Sequence, residues 1–252
     1  MADLCGVAKS RSVGFARNLA LIFNVSVLVF SLFSDARGQE KELIYSNTLT
    51  SADSVADWVM EGPGDMELDS SGLVMCSPGE EGHHVLWCPR EFPERFVAEW
   101  EVRNLHPEAG LCIVFFAAKG RGDESVLAEE LATQTGIFKQ YTKGDIDNYH
   151  ISYYANTPTQ QDRPHSHLRK NRGFRKVQEG EIGIAADSEA VHHVRLVKDR
   201  GHIRMEVDGR MILDWTDDGE RYGKVLGSGW IGFRQMKWTK MMYRNFRVWE
   251  LK

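Results

Sequence analysis

Helical periodicity is almost absent from this chain of 252 residues, and so are internal repeats, low-complexity tracts and proline- or serine-rich linkers. The first absence argues against a helical bundle, and the others favour a single domain. Basic charge is not in excess either, because 31 Lys and Arg stand against 36 Asp and Glu, a formal net charge of −5. We therefore expect no nucleic-acid partner. With 42% hydrophobic and 27% charged residues, the composition is that of a globular protein and excludes a disordered or fibrous chain.

No apolar run is long enough for a comfortable membrane span, since the longest covers only residues 19–33. Basic residues precede this run: Lys9, Arg11 and Arg17. Ala36 and Gly38 then place small residues at positions −3 and −1 of a cut before Gln39. The pattern predicts a cleaved signal peptide over residues 1–38, and an uncleaved anchor is the alternative.

A cleaved chain would be a secreted or periplasmic protein of one domain, residues 39–252, without membrane contact. Cysteine is scarce in it, with three residues: Cys76, Cys88 and Cys112. A domain of this size buries enough apolar surface to fold without disulfide bonds. Two alternatives stay open: a Cys76–Cys88 bridge across a hairpin, which export would permit, or three buried free thiols.

Strand patterns are frequent in residues 39–252. Nine segments show them: 83–88, 96–103, 111–118, 149–155, 193–198, 202–207, 210–215, 229–235 and 243–251. Asp208 and Gly209 form a two-residue turn between two of these strands, which predicts a hairpin. Many short strands without intervening helices predict an all-β fold, a jelly-roll β-sandwich of two antiparallel sheets.

Period-two alternation assigns residues of three strands to a face opposite the core. The predicted set is Glu99, Glu101, Asn148, His150, Ser152, Tyr154, Trp230 and Arg234. Rings stack on the C–H patches of sugars, and planar polar groups bind sugar hydroxyls, so this mixture predicts a carbohydrate-binding groove. The alternative is a set of cross-strand pairs that only stabilises the sheets.

Two sets of motifs resemble known groups. Gly180-Glu-Ile-Gly183 and Gly229-Trp-Ile-Gly-Phe-Arg234 resemble the later strands of concanavalin A-like lectin/glucanase jelly rolls. Asp57-Trp-Val-Met-Glu-Gly-Pro-Gly64 and Tyr149-His-Ile-Ser-Tyr-Tyr154 are similar to the family called domain of unknown function 1961. The resemblance covers nearly all of residues 43–251 and implies a jelly roll with a concave, sugar-facing sheet. Bacterial members of that family are associated with the use of pectin-type polysaccharides, which implies a polysaccharide or oligosaccharide partner. The resemblance supplies no catalytic residues, and the Glu-x-Asp-x-x-Glu signature of related glucanases is missing.

Lyase chemistry on a uronate requires a group that neutralises the carboxylate, a base for the C5 proton and an acid for the leaving oxygen. His150 and Tyr154 are the candidate base and acid, and Arg234 is the candidate neutraliser. Glu99 and Glu101 offer hydrolase chemistry instead, since residues two apart on a strand lie about 6.5–7 Å apart. Alternatively, these glutamates pair with Arg103 or Arg234 across strands, or the face binds sugar without chemistry.

Residues 162–177 carry six Lys and Arg against one Asp, in an acidic protein. Because arginine binds carboxylate or sulfate in bidentate fashion, Arg169 and Arg172 predict a lid over an anionic polysaccharide, with a solvated basic loop as the alternative. His165 and His167 give only a weak metal signal, so no catalytic metal or cofactor is predicted. Structural calcium is the alternative, with oxygen ligands from three residues: Asp145, Asp147 and Asn148.

Overall fold

The computed structural model describes residues 32–34, 40–77, 82–129, 131, 134–156 and 165–252. These residues form an all-β sandwich with one short α-helix and one 3-10 turn. The described part contains no helix long and apolar enough to cross a membrane. Most of the predicted signal peptide, residues 1–38, lies outside the described residues, so its cleavage stays a prediction.

The strands follow one another along the chain with few helical interruptions. They are β1 Leu32–Ser34, β2 Glu40–Asn47, β3 Val59–Glu61, β4 Asp65–Asp69, β5 Gly72–Cys76, β6 His84–Phe92, β7 Arg95–Asn104, β8 Gly110–Gly120, β9 Ile146–Asn156, β10 His167–Asn171, β11 Arg175–Glu179, β12 Val191–Asp199, β13 His202–Val207, β14 Arg210–Thr216, β15 Gly229–Gln235 and β16 Lys240–Leu251. The 3-10 turn covers Ala52–Val55 and the helix α1 covers Phe138–Lys143.

Two antiparallel sheets make up the sandwich. One has nine strands, with the order β1-β2-β16-β7-β12-β13-β14 and with β5 and β4 attached through β16. The other has seven, with the order β11-β10-β9-β8-β15-β6-β3. The predicted fold class is therefore confirmed.

The main core lies between the sheets and follows the predicted alternation. Trp100 and Val102 of β7 face Ile151 of β9 and Phe233 of β15, and all four are buried. The rings of Trp100 and Phe233 meet edge to face with centroids 5.4 Å apart. Burial of each such side chain stabilises the folded state by about 1.5–3 kcal/mol. The apolar layer between the sheets is therefore a main source of stability.

The predicted Asp208-Gly209 turn is confirmed. Both residues have positive φ, 53° and 75°, as a two-residue type I′ hairpin requires. Val207 pairs with Arg210 across it, which fixes the register of β13 and β14.

A β-bulge in β9 breaks the predicted alternation. Cys112 of β8 pairs with Tyr154, but the next residue, Ile113, pairs with Ser152, so Tyr153 is the extra residue. Tyr153 and Tyr154 both belong to the interlayer core as a result. The expectation that Tyr154 shares a face with His150 is wrong for this reason.

Neither cysteine alternative holds, because Cys76 is disulfide-bonded and the three thiols are therefore not all free. Cys88 and Cys112 are buried free thiols, so the Cys76–Cys88 bridge is wrong. Burial raises the pKa of both thiols to about 12, and they stay protonated and unreactive at neutral pH.

Candidate functional site

The outer face of the seven-stranded sheet carries a continuous row of side chains across six strands. Antiparallel partners lie side by side on one face, so the register defines the row. From β3 to β10 it reads Glu61, Val85, Arg234, Ile113, Ser152 and His167. A parallel row reads Val59, Trp87, Gly232, Phe115, His150 and Arg169. The structure therefore brings Arg234, Ser152, His150 and Arg169 to one face of the sheet, which we call the outer face, and the first three are buried there.

An apolar cluster covers part of the outer face. Trp87 stacks on Phe115 with ring centroids 5.9 Å apart, and Tyr141 of α1 stacks on Phe115 at 5.3 Å. Gly232 lies between Trp87 and Phe115 in the row, and a Cβ there would come within 2.4 Å of the indole. The helix α1 thus covers the strands β6, β15 and β8 of the predicted groove with apolar side chains.

Arg234 is the most unusual group on this face because it is only 2% exposed. Its guanidinium carbon lies 4.3 Å from the ring centre of Phe138, and its Nη2 lies 3.3 Å from Nδ1 of His83. Its Nε has no hydrogen-bond partner, and no carboxylate among the described residues forms an ion pair with it. Burial lowers the pKa of Arg234 to about 10, so it stays charged at neutral pH. A buried charge without a counter-ion is costly, which marks this position as special.

His83 does not add a second charge. Burial and the neighbouring Arg234 lower the pKa of His83 to about 4, so the ring is neutral at pH 7. Its Nδ1 can then accept a hydrogen bond from the guanidinium, and Arg234 remains the cation of this pair.

Glu61 lies at the β3 end of the row, and its carboxylate already accepts hydrogen bonds from two neighbouring side chains. One carboxylate oxygen accepts hydrogen bonds from Trp87 Nε1 at 2.7 Å and from the Tyr141 hydroxyl at 2.8 Å. Burial raises the pKa of Glu61, although these two donors oppose the shift. The arrangement holds α1 against the sheet.

His150 is fixed in one tautomer by a chain of buried amides. Asn148 Nδ2 donates to the Tyr141 carbonyl at 2.7 Å, which leaves Asn148 Oδ1 to accept from Asn171 Nδ2 at 2.8 Å. The same Asn171 nitrogen donates to His150 Nδ1 at 2.8 Å. The proton of the neutral imidazole is therefore on Nε2. Burial lowers the pKa of His150 well below 6.5, so the ring is a neutral donor whose lone pair is already used.

The basic segment that was expected to form a lid is part of the sheet in the structure. Of residues 162–177, those before residue 165 lie outside the described residues, and β10 and β11 extend the sheet as an edge hairpin. Arg169 lies 3.8 Å over the ring of Phe174, whose ring centre is 6.0 Å from that of His150. Arg172 instead pairs with Asp147 at 3.6 Å, away from this contact. Of Arg169 and Arg172, Arg169 is the one that the register assigns to the outer face.

Tyr154 is on the opposite side of the sheet from His150. It is 1% exposed, and its hydroxyl accepts a hydrogen bond from Asn104 Nδ2 of the other sheet at 2.9 Å. Burial raises its pKa above the ordinary tyrosine value. The structure thus separates the predicted acid from the predicted base.

Glu99 and Glu101 belong to the nine-stranded sheet and do not reach the outer face. Glu99 pairs with Arg195 at 3.0 Å, and Glu101 pairs with Arg244. Alternation correctly separates both from the core, but it cannot say which sheet a strand joins. The expected arginine partners, Arg103 and Arg234, are wrong.

Trp230 lies on β15 beside the apolar cluster and is half-buried. Its indole Nε1 has no hydrogen-bond partner. Like the Nε of Arg234, four positions further along the strand, this indole nitrogen is a polar donor at this face without an acceptor.

The three predicted calcium ligands each contact another protein group. Asp145 lies 3.7 Å from Arg121, Asp147 pairs with Arg172, and Asn148 is part of the buried amide chain. Within the described ranges, no group of three His, Cys, Asp or Glu residues is arranged to hold a metal ion. His165 contacts the Gly180 carbonyl, and His167 pairs with Glu179 at 3.3 Å.

Sequence reasoning missed several members of the site. Glu61 occurs in the quoted 57–64 motif, yet its position on a short edge strand gave no periodic signal. Asn171 and Phe138 come from segments without alternation, so only the three-dimensional structure shows that they contact His150 and Arg234.

A two-sheet antiparallel sandwich with polar groups on the outer face of one sheet defines a galectin-like protein of the concanavalin A-like type. A crystal structure titled as a protein of unknown function with a galectin-like fold, from Bacillus subtilis, matches with a TM-score of 0.80 and 34% identity over 88% of this chain and 99% of that one. The carbohydrate recognition domain of Emp46p, in its potassium-bound form, shares the fold with a TM-score of 0.54 and 13% identity over 81% of this chain and 95% of that one.

The sequence comparisons give the particular family. Residues 42–248 match the family model described as Domain of unknown function (DUF1961). The uncharacterized protein YesU of Bacillus subtilis (strain 168) is 36% identical over 213 residues, which cover 83% of this chain and 96% of YesU. The chain belongs to the DUF1961 family.

Proposed function

We propose that this protein binds an anionic saccharide on the outer face of the seven-stranded sheet, with Arg234 as the residue that binds the acidic group. The observation that carries the proposal is the buried guanidinium of Arg234, which has no anionic partner in the described part of the chain. The shared fold with the Emp46p carbohydrate recognition domain supports a saccharide as the class of ligand.

A uronate carboxylate or a sulfate would supply the missing counter-charge. Arginine binds either group through two parallel N–H donors, and the Nε of Arg234 has no hydrogen-bond partner. Two further donors lie on β9, two strands from Arg234: the Nε2–H of His150 and the hydroxyl of Ser152. The half-buried ring of Phe138 covers the guanidinium, so binding of the acidic group would require this ring to move aside.

Binding is better supported than catalysis. A lyase requires a free base, but the His150 lone pair already accepts from Asn171. A hydrolase requires two carboxyl groups around the scissile bond, whereas Glu61 is held by Trp87 and Tyr141 and Glu99 is on the other sheet. Lyase or hydrolase activity is therefore an alternative outcome of the test. The predicted signal peptide supports a secreted or periplasmic location for this binding.

The test is titration calorimetry with polygalacturonate, sulfated and neutral oligosaccharides. We expect binding of the acidic ligands, and a roughly tenfold or larger loss of affinity in Arg234→Lys because the bidentate geometry is lost. Arg244→Lys is the matched control, since Arg244 is an arginine of the other sheet paired with Glu101.

Equal affinity for neutral and acidic sugars, or an unchanged Arg234→Lys variant, would overturn the proposal. New ultraviolet absorbance from an unsaturated uronate would indicate a lyase, and new reducing ends without it would indicate a hydrolase.

A further inference from the structure

Three side chains of the nine-stranded sheet and its preceding loop form a hydrogen-bonded chain far in sequence from Arg234. Ser188 Oγ lies 2.7 Å from Nε2 of His192, and His192 Nδ1 lies 2.6 Å from Oδ2 of Asp208. A nucleophile, a base and an orienting carboxylate in this order are the arrangement that activates a serine.

The carboxylate fixes the state of the imidazole. Asp208 Oδ1 accepts from the His193 amide at 2.8 Å, and Oδ2 faces His192 Nδ1. Partial burial opposes ionisation, but hydrogen bonds from His192 and from the His193 amide outweigh it and hold the pKa of Asp208 below its ordinary value. An ionised carboxylate only accepts, so the neutral ring carries its proton on Nδ1 and presents the Nε2 lone pair to the Ser188 hydroxyl.

The fold holds these residues in register. Asp208 belongs to the type I′ turn after β13, and its amide donates to the His193 carbonyl at 2.8 Å. Ser188 lies in the loop before β12, where its amide donates to the Ala185 carbonyl at 3.1 Å. The His192 side chain is 14% exposed and that of Asp208 is 51% exposed, so solvent and small molecules reach the group.

The loop around Ser188 makes two further contacts. The Ala190 amide donates to Ser188 Oγ at 3.4 Å. Arg103 Nε donates to the Glu189 carbonyl at 2.8 Å, which holds a positive charge beside the same loop.

We propose that Ser188, His192 and Asp208 form a catalytic triad that hydrolyses short-chain acyl esters. Ser188 Oγ bonds to the acyl carbon while its proton passes to His192 Nε2, and the departing alcohol takes that proton. Water, deprotonated by His192, then breaks the acyl–Oγ bond, restores the serine and releases the carboxylic acid. Short acyl esters are the substrates to test first, because the group lies at the protein surface with Asp208 half-exposed.

The test uses the folded full-length protein, a fluorophosphonate probe with peptide mapping, and 4-nitrophenyl acetate hydrolysis. We expect the probe to label Ser188 and expect Ser188→Ala to lose both labelling and hydrolysis. His192→Gln and Asp208→Asn retain Ser188 but remove its activation, so we expect each to label about 100-fold more slowly.

His202→Gln is the matched control, because His202 makes a similar 2.7 Å contact with Asp214 but has no serine partner. It should leave labelling unchanged. Labelling of Ser188 at the same rate in His192→Gln, or no more labelling in the native protein than in Ser188→Ala, would overturn the triad. Both results are independent of saccharide binding at Arg234.

Discussion

The guanidinium carbon of Arg234 lies 4.3 Å from the ring centre of Phe138, and this ring takes the place that a carboxylate has beside most buried arginines. The negative face of an aromatic ring attracts a cation, typically by about 0.5–2 kcal/mol. This is less than the desolvation cost of a buried charge, which amounts to several kcal/mol. The ligand-free protein is therefore less stable than it would be with an apolar residue at position 234.

The first prediction concerns that cost. Arg234→Met removes the uncompensated charge and keeps much of the side-chain volume, so we expect the free energy of unfolding to stay equal or to rise by about 1–4 kcal/mol. Urea denaturation measures it. Arg244→Met, which removes a half-exposed ion pair with Glu101, should cost less than about 1 kcal/mol. A large loss of stability in Arg234→Met would contradict the absence of a fixed counter-ion.

The second prediction is that stability falls on mild acidification. Burial, with the charge of Arg234, lowers the pKa of His84 to about 3, and burial lowers that of His150 well below 6.5. Their folded-state pKa values lie below the unfolded value, so the unfolded chain takes up protons first as the pH drops through 6.5. Stability should decline from there toward pH 4, by at most about 1.4 kcal/mol per pH unit for each histidine. His150→Gln should flatten the curve, and an identical slope would exclude this contribution.

The third prediction separates Tyr154 from the site. Tyr154→Phe removes the hydroxyl that Asn104 donates to and should cost about 0.5–1.5 kcal/mol of stability. Because Tyr154 is inside the sandwich, we expect acidic-saccharide affinity to stay within twofold of the native value. Calorimetry on the folded variant checks this. A loss of affinity comparable to that of Arg234→Lys would show that Tyr154 contributes to the binding site.

The fourth prediction concerns the buried Lys170–Asp217 pair. Lys170 Nζ lies 2.6 Å from Asp217, which also accepts from the Tyr149 hydroxyl, and both charged residues are buried. Lys170→Met leaves an unpaired buried carboxylate and should cost about 3–5 kcal/mol. The double variant Lys170→Met/Asp217→Leu should regain most of that loss. Equal destabilisation of the single and double variants would show that the two charges do not compensate each other.

Much of the fold could be predicted from local pattern. Alternation along β7 and β15 assigned Trp100 and Phe233 to the core, and the Asp208-Gly209 turn defined a hairpin, because both signals depend only on neighbouring residues. The common face of His150 and Arg234 followed from the same rule.

The remaining parts of the fold and the site depended on a bulge, on the strand order and on the path of an insertion, and residue alternation does not reveal these. One extra residue, Tyr153, turned Tyr154 to the other face of the sheet. The assignment of Glu99 to the nine-stranded sheet required knowing the strand order. The position of Phe138 over Arg234 depends on how an insertion folds back, and no alternation marks that path.

The cross-strand row on the outer face also sets the spacing between the polar groups that the proposed ligand would contact. Neighbouring strands are about 4.8 Å apart, so Ser152 and His167 lie two and three steps from Arg234, at about 10 and 14 Å. A linear ligand laid perpendicular to the strands would meet these polar groups one after another. Its affinity should therefore increase with chain length in steps and level off once the oligomer extends beyond His167.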